Sequence, residues 1–121
     1  HAAKIDRQQP VLLQVNIADE ETKSGFSPAE AVSAAGEIGQ LACLRVQGFM
    51  TMGPLATNPE DVRWVFRELR ELRDRAQARW PQLRLRELSM GMTGDFEVAI
   101  EEGATLIRVG RAIFGENQAV N

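Results

Sequence analysis

Apolar positions along the chain fall into short continuous runs, and between them lie stretches with helical spacing. Residues 11–17 (VLLQVNI), 44–52 (LRVQGFMTM), 86–92 (RELSMGM) and 105–110 (TLIRVG) have the length and β-leaning composition of strands. Ser27-Pro28-Ala29-Glu30 predicts a helix start, with Ser27 as cap, Pro28 at the first position and Glu30 closing a capping box. That helix is expected to run to about Leu41, with Gly36 and Gly39 either weakening it or letting it pack closely. Asn58-Pro59-Glu60-Asp61 repeats the start chemistry. The helix after it sets Val62, Val65, Phe66, Leu69 and Leu72 on one buried face, and Trp80-Pro81 ends it. A short helix is expected over about 95–102, with Gly103 as its left-handed C-cap.

The order β-α-β-α-β-α-β, with near-continuous apolar strands, predicts an α/β fold whose parallel strands are covered by helices. An open doubly wound sheet satisfies that order, and so does the half of a closed barrel made of four βα units. Polar and Gly residues gather beyond three strand ends, at Met52-Gly53, Gly91-Met92-Thr93-Gly94 and Gly110-Arg111, which favours the half-barrel.

Charge changes the picture little. The 121 residues carry a net charge of −3, so no global basic field recruits nucleic acid or an anionic membrane. The arginines of the long helix interleave with acids, and the pairs Arg67–Glu71, Arg70–Asp74 and Glu71–Arg75 predict a solvated, self-paired face. No apolar run approaches the roughly 20 residues of a membrane helix. The opening HAAKIDRQQP has no apolar signal core, so a cytoplasmic protein is expected. The chain begins at His1 rather than Met, and its opening resembles the tail of a helix running into a strand, so further residues are expected upstream. Cys43, the only cysteine, excludes an intrachain disulfide and is expected to be a plain buried thiol. His1 is the only histidine, which rules out a Ser-His-Asp arrangement within the chain, and no metal-ligand constellation is visible.

The candidate chemistry lies at the strand ends. Thr93-Gly94 entering a helix offers a hydroxyl and free N–H groups to a phosphate, or it simply caps the helix. Gly110-Arg111 after the next strand either repeats that cradle or makes a turn. Arg108 sits inside an apolar strand on the same face as Gly110. If Ile107 and Val109 face the helices, Arg108 faces the interior, either bonded to an unprotonated ring nitrogen or ion-paired with an inward acid. Met50, Met52, Met90 and Met92 lie near strand C-termini, where thioethers can floor a flat ring or fill a core.

The stretch 88–115, LSMGMTGDFEVAIEEGATLIRVGRAIFG, resembles the C-terminal signature of the pyridoxal phosphate homeostasis proteins of YggS/PROSC type. Val15-Asn16-Ile17, Glu21-Thr22-Lys23-Ser24-Gly25-Phe26 and Gly48-Phe49-Met50-Thr51-Met52 agree, so the resemblance covers nearly the whole chain. It implies that residues 1–121 are the C-terminal half of one (β/α)8 barrel of the alanine racemase N-terminal type, PLP fold-type III, with the N-terminal half missing. It also implies a cytoplasmic protein that binds pyridoxal 5′-phosphate (PLP) and stores or delivers it without turnover. The cofactor-binding residues implied are Thr93, Gly110 and Arg111 at the phosphate, Arg108 at the pyridine nitrogen, and Gly91 and Met92 beside them. Thr93 stands where the family usually has Ser, which keeps the hydroxyl, and Phe49 replaces Leu. The family's Schiff-base lysine lies at the end of its first strand, and neither Lys4 nor Lys23 matches that motif.

Two other functions remain open, a PLP-dependent racemase-like enzyme of fold-type III and an inactive half-barrel fragment. Four strands of a half-barrel leave apolar edges at 11–17 and 105–110 without Lys, Pro or bulge protection. The expected partners are therefore PLP and either the N-terminal half of the barrel or a second copy of the chain.

Overall fold

The computed structural model describes residues 9–17, 25–52, 58–92, 94–107 and 118–119. Its elements are β1 (Gln9–Gln14), α1 (Pro28–Gly39), β2 (Leu44–Met50), a 3₁₀ turn (Pro59–Val62), α2 (Arg63–Arg79), β3 (Glu87–Ser89), α3 (Phe96–Glu101), β4 (Leu106–Ile107) and β5 (Gln118–Ala119). The strands lie side by side in chain order, β1 to β4 parallel and β5 antiparallel to β4. A doubly wound sheet reverses its strand order partway and puts helices on both faces. Here the order never reverses, and crossovers of one hand then stack every helix on one face. The sheet is a segment of barrel wall.

Local signals explain the helices. Ser27 Oγ accepts the Glu30 N–H at 3.3 Å and Glu30 Oε1 accepts the Ser27 N–H at 3.0 Å, so the capping box is complete. That bond holds the Glu30 carboxyl below its usual range. Asn58 Oδ1 takes the Glu60 N–H at 3.0 Å, although the first turn it caps is 3₁₀ and the α-helix begins at Arg63. Along α2, Val65, Phe66, Leu69, Leu72 and Ala76 are fully buried against the sheet and α1. Each large side chain among them contributes about 1.5–3 kcal/mol. Gly103 adopts φ +106° and ends α3, as its position predicts.

The glycines of α1 serve close packing. A Cβ on Gly36 would lie 2.2 Å from the Trp80 ring, and one on Gly39 2.7 Å from Leu83. The Trp80 indole N–H donates to the Val32 carbonyl at 2.8 Å, so the residue that ends α2 also locks it onto α1. In the sheet, the register of β1 on β2 slips between Val11 and Leu12, which leaves Gln47 as the extra residue of a bulge. Gly48 follows it, and a Cβ there would meet the Glu87 carbonyl oxygen at 1.8 Å.

Several expectations need correction. The arginines of α2 do not form the ladder Arg67–Glu71, Arg70–Asp74 and Glu71–Arg75 among the described ion pairs. Arg63, Arg67 and Arg70 reach across to the end of α3, while Arg63 also pairs with Glu60 at 2.8 Å and Arg73 with Asp74 at 3.0 Å. Glu102 is buried, bonded to Arg63 Nη1 at 2.8 Å and Arg70 Nη1 at 3.1 Å, with Arg67 Nε at 3.6 Å. An exposed helix pair is worth only a few tenths of a kcal/mol, whereas a buried carboxylate without partners is costly. Cys43 is half-buried, because it lies in the turn between α1 and β2 rather than inside a strand. The β4 edge is not open along its whole length, since β5 pairs Ala119 with Leu106 and Gln118 with Ile107. At the other edge β1 begins earlier than expected, so it contains Pro10 as well as the bulge contact. No helix among the described residues is long and apolar enough to cross a membrane.

Candidate functional site

The C-terminal ends of the parallel strands have two unlike faces. Leu13, Val15, Ile17, Val46, Phe49, Leu88, Met90 and Ile107 are buried in one core with the helices. Strand alternation turns Leu12, Gln14, Asn16, Met50, Met52 and Leu106 the other way, and these are only half-buried. Polar and thioether side chains thus collect on the concave side, which is the interior of a barrel.

The strand ends are held in place by backbone and side-chain bonds. The buried Thr51 hydroxyl donates to the Val15 carbonyl at 2.7 Å and its N–H donates to Ser89 O at 3.0 Å, which ties three neighbouring strand ends together. Met90 N–H continues the ladder to Leu106 O at 3.0 Å. The chain then leaves β3 through Gly91 at φ +102°, a conformation that L side chains rarely adopt. A Cβ there would lie 2.6 Å from Ala99 Cβ, so Gly91 also lets α3 pack directly on the strand end.

Beyond Gly91, the Met92 N–H donates to Asp95 Oδ1 at 2.6 Å and the Asp95 N–H donates back to Met92 O at 3.0 Å. This reciprocal pair fixes where α3 begins. Asp95 is a residue the sequence reading passed over. The short helix is expected to start at about Asp95, yet the carboxylate of that residue accepts the Met92 N–H and makes no cap bond into α3. A carboxylate directly after the Thr-Gly pair was the available signal.

Gly91 and Met92, then, stand together at the C-terminal end of β3, the first buried and the second half-buried. Thr93, Arg108, Gly110 and Arg111 lie outside the described residues. One premise of the Arg108 assignment is visible: Ile107 is buried with Gly91 and Ala99 on the helix side, while Leu106 is half-buried on the other. Of the methionines, Met50, Met52 and Met92 remain half-buried at strand ends. Met90 does not face the barrel interior as expected. It is 2 % exposed in the helix-side core, because Leu88 and Met90 share one face of β3.

On the outer side of α3 a cleft of about 300 Å³ is lined by Glu60, Asp95, Glu97 and Glu101 among others. Four carboxylates suit no phosphate.

The chain is similar to curated proteins and solved structures over nearly all of its length. It is 49% identical over 110 residues to the pyridoxal phosphate homeostasis protein of Aquifex aeolicus, covering 91% of this chain and 48% of that one. It is 37% identical over 123 residues to the protein of the same name from Escherichia coli, covering 94% and 51%. The chain therefore spans about half the length of these relatives. Among solved structures, a Bifidobacterium adolescentis protein of unknown function is 44% identical with a TM-score of 0.81, covering 93% of this chain and 46% of that one. PipY of Synechococcus elongatus, solved with PLP bound, is 34% identical with a TM-score of 0.76, covering 88% and 49%. The sequence pattern of the alanine racemase N-terminal domain matches residues 1–118, and the chain belongs to that family, as one segment of its PLP fold-type III barrel.

Proposed function

We propose that this chain forms the C-terminal wall of a non-catalytic PLP-binding protein that holds and releases the cofactor in the cytoplasm. The observation that carries this reading is the likeness to PipY in its PLP-bound structure, which extends over 88% of the chain. The residues present fit such a ligand. The half-buried Met50 and Met52 lie on the concave face, and Asp95 fixes the Met92 backbone at the end of β3. Thr93, Gly110 and Arg111 would hold the phosphate, with Gly91 and Met92 shaping the strand end beside it.

Arg108 follows Leu106 in the alternation and would aim its guanidinium at the pyridine nitrogen. A cation there keeps that nitrogen unprotonated. PLP supplies an electron sink to enzymes that bind it, and a permanently unprotonated ring weakens that sink. The chain's part is then to bind and orient the cofactor rather than to move protons. The lysine that would hold PLP covalently belongs to the other half of the barrel.

Titrating PLP into the natural-length protein, followed by visible absorbance, tests the reading. Saturable binding that weakens on Thr93→Ala and Arg108→Ala, with no alanine racemisation, is the expected result. Racemase turnover would instead favour the enzymatic alternative, and absent PLP binding would leave only an inactive half-barrel.

A further inference from the structure

The opposite end of the sheet carries a second concentration of chemistry, one that the PLP reading does not use. Where α1 ends, β2 begins and the chain passes from α2 into β3, a cleft of about 400 Å³ opens, lined in part by Arg45, Arg84 and Arg86. Its volume falls within the roughly 300–1,000 Å³ of small-molecule sites. Glu87 is the only carboxylate in its lining among the described residues, and that group already accepts the Thr105 hydroxyl at 2.7 Å.

None of the three guanidiniums has an ion-pair partner among the described residues, whereas Arg63, Arg67, Arg70 and Arg73 of α2 are all paired. A general shortage of acids is not the cause, because the chain has 17 Asp and Glu against 14 Lys and Arg. Cations sharing one cleft raise each other's energy, and an anion placed among them relieves it.

The segment that bears Arg84 and Arg86 is also built to hold still. Leu85 between them is 1 % exposed, which anchors the segment in the core. Gln77 of α2 clamps it from both sides: its Oε1 accepts the Leu85 N–H at 2.8 Å and its Nε2 donates to Leu83 O at 2.7 Å. Arg73 Nη1 adds a bond to Arg86 O at 3.3 Å. The backbone beneath both guanidiniums is thus fixed before any ligand arrives, which lowers the ordering cost of binding.

We infer that this cleft is a second ligand site, separate from the PLP end, for a small phosphorylated compound held by Arg45, Arg84 and Arg86. Guanidinium forks match phosphate oxygens two at a time, and the Gln47 and Gln82 amides in the same lining can bond what remains.

Calorimetric titration of inorganic pyrophosphate into the natural-length protein tests this, at low and at moderate salt. Saturable binding is expected at one site, weakening with salt, at least tenfold weaker in Arg84→Ala/Arg86→Ala, with the PLP titration unaltered. Arg45→Ala, on a different element, should weaken it independently. It carries the test if the double variant melts early. Absence of saturable binding, wild-type affinity in both variants, displacement of PLP by pyrophosphate, or equal affinity for citrate would each overturn the assignment.

Discussion

Asp95 and Met92 hold each other: the carboxylate takes the Met92 N–H at 2.6 Å and the Asp95 N–H returns a bond to the Met92 carbonyl at 3.0 Å. The pair spans the position proposed to contact the cofactor phosphate without offering that phosphate anything itself, since a carboxylate repels it. Its effect on PLP is therefore indirect. Asp95→Ala is expected to weaken PLP binding about tenfold, the scale of one charge-assisted hydrogen bond. Asp95→Asn, which can still accept the Met92 N–H, should recover most of the affinity. Equal losses in both variants, measured by absorbance titration, would place the carboxylate's charge rather than its bond at the centre of the effect.

Thr93 and Arg108 separate differently. Thr93→Ala is expected to weaken PLP by about 1–2 kcal/mol with little change in melting temperature. Arg108→Ala should change both the affinity and the absorbance of bound PLP while leaving the fold largely intact. If Arg108 were instead half of a buried ion pair, the loss would appear as about 3–5 kcal/mol of stability with an unchanged PLP titration. Thermal melts with and without PLP decide between the two.

What could be read in advance followed from how local each signal is. The Ser27–Glu30 box, the Asn58 cap, the apolar face of α2 and the Gly103 stop are each fixed within a few residues, and all are found as expected. Contacts between distant segments were not legible. Arg63 pairs with the nearby Glu60, but it and Arg70 also bond Glu102 more than 30 positions away, a partner that helical spacing does not point to. The Gln47 bulge has no sequence signal apart from Gly48, and β5 is a two-residue strand with no apolar run to announce it. Position 95 was overlooked because an Asp at a helix start has an ordinary explanation. Gly91 and Met92 stand at the end of β3, where the run of apolar residues 86–92 placed a strand end.

Glu102 makes acid stability predictable in sign. Its carboxyl is held below the usual carboxylate range, chiefly by the hydrogen bond from Arg63, while burial works the other way. A folded-state value below the unfolded one adds stability above the unfolded value and loses it as pH falls through the folded value. Melting temperature should therefore drop below about pH 4.5 more steeply in the wild type than in Glu102→Gln. At neutral pH the substitution should cost about 1–3 kcal/mol, less than a fully buried pair because Arg67 and Arg70 keep access to water. Parallel pH profiles for the two proteins would show that the network contributes nothing to acid sensitivity.

The contact between Gly36 and Trp80 supplies a test of the helix layer. An added methyl at Gly36 would stand 2.2 Å from the ring, too close for any small adjustment. The indole would have to swing away and give up its bond to Val32 O. Gly36→Ala should therefore destabilise the protein by about 1–3 kcal/mol, even though Ala is the better helix former. Chemical denaturation checks the magnitude, and near-ultraviolet circular dichroism should report a changed Trp80 environment. A neutral or stabilising result would mean that α1 and α2 are less tightly fitted than their geometry indicates.

The last prediction concerns assembly, and the two edges of the sheet no longer count equally in it. At one edge β5 covers Leu106 and Ile107 of β4. At the other, β1 has no neighbouring strand beyond β2 among the described residues, but Phe26 bridges Val15 there, its N–H donating to Gln14 O at 2.9 Å and its carbonyl accepting the Asn16 N–H at 2.8 Å. Pro10 lies within β1 and removes one donor from that edge, so the part open to pairing is the short run between Pro10 and Gln14. The concave face adds a larger demand, because Leu12, Met50, Met52 and Leu106 are turned away from the helices and only half-buried. In a closed barrel an opposite wall covers such residues. Leaving hundreds of Å² of that surface in water, at about 25 cal/mol per Å², forfeits as much as the whole stability of a typical small domain. The purified 121-residue chain is therefore expected not to persist as a stable monomer. It should pair with the other half of a barrel, pair with a second copy, or aggregate. Pairing with the other half is favoured, because the relatives are about twice as long and parallel closure needs β4 free of the antiparallel β5. Co-expression with the first half of a relative, followed by light scattering and denaturation, separates the outcomes. A cooperative unfolding transition at monomer mass, independent of concentration, would show that the concave face needs no cover.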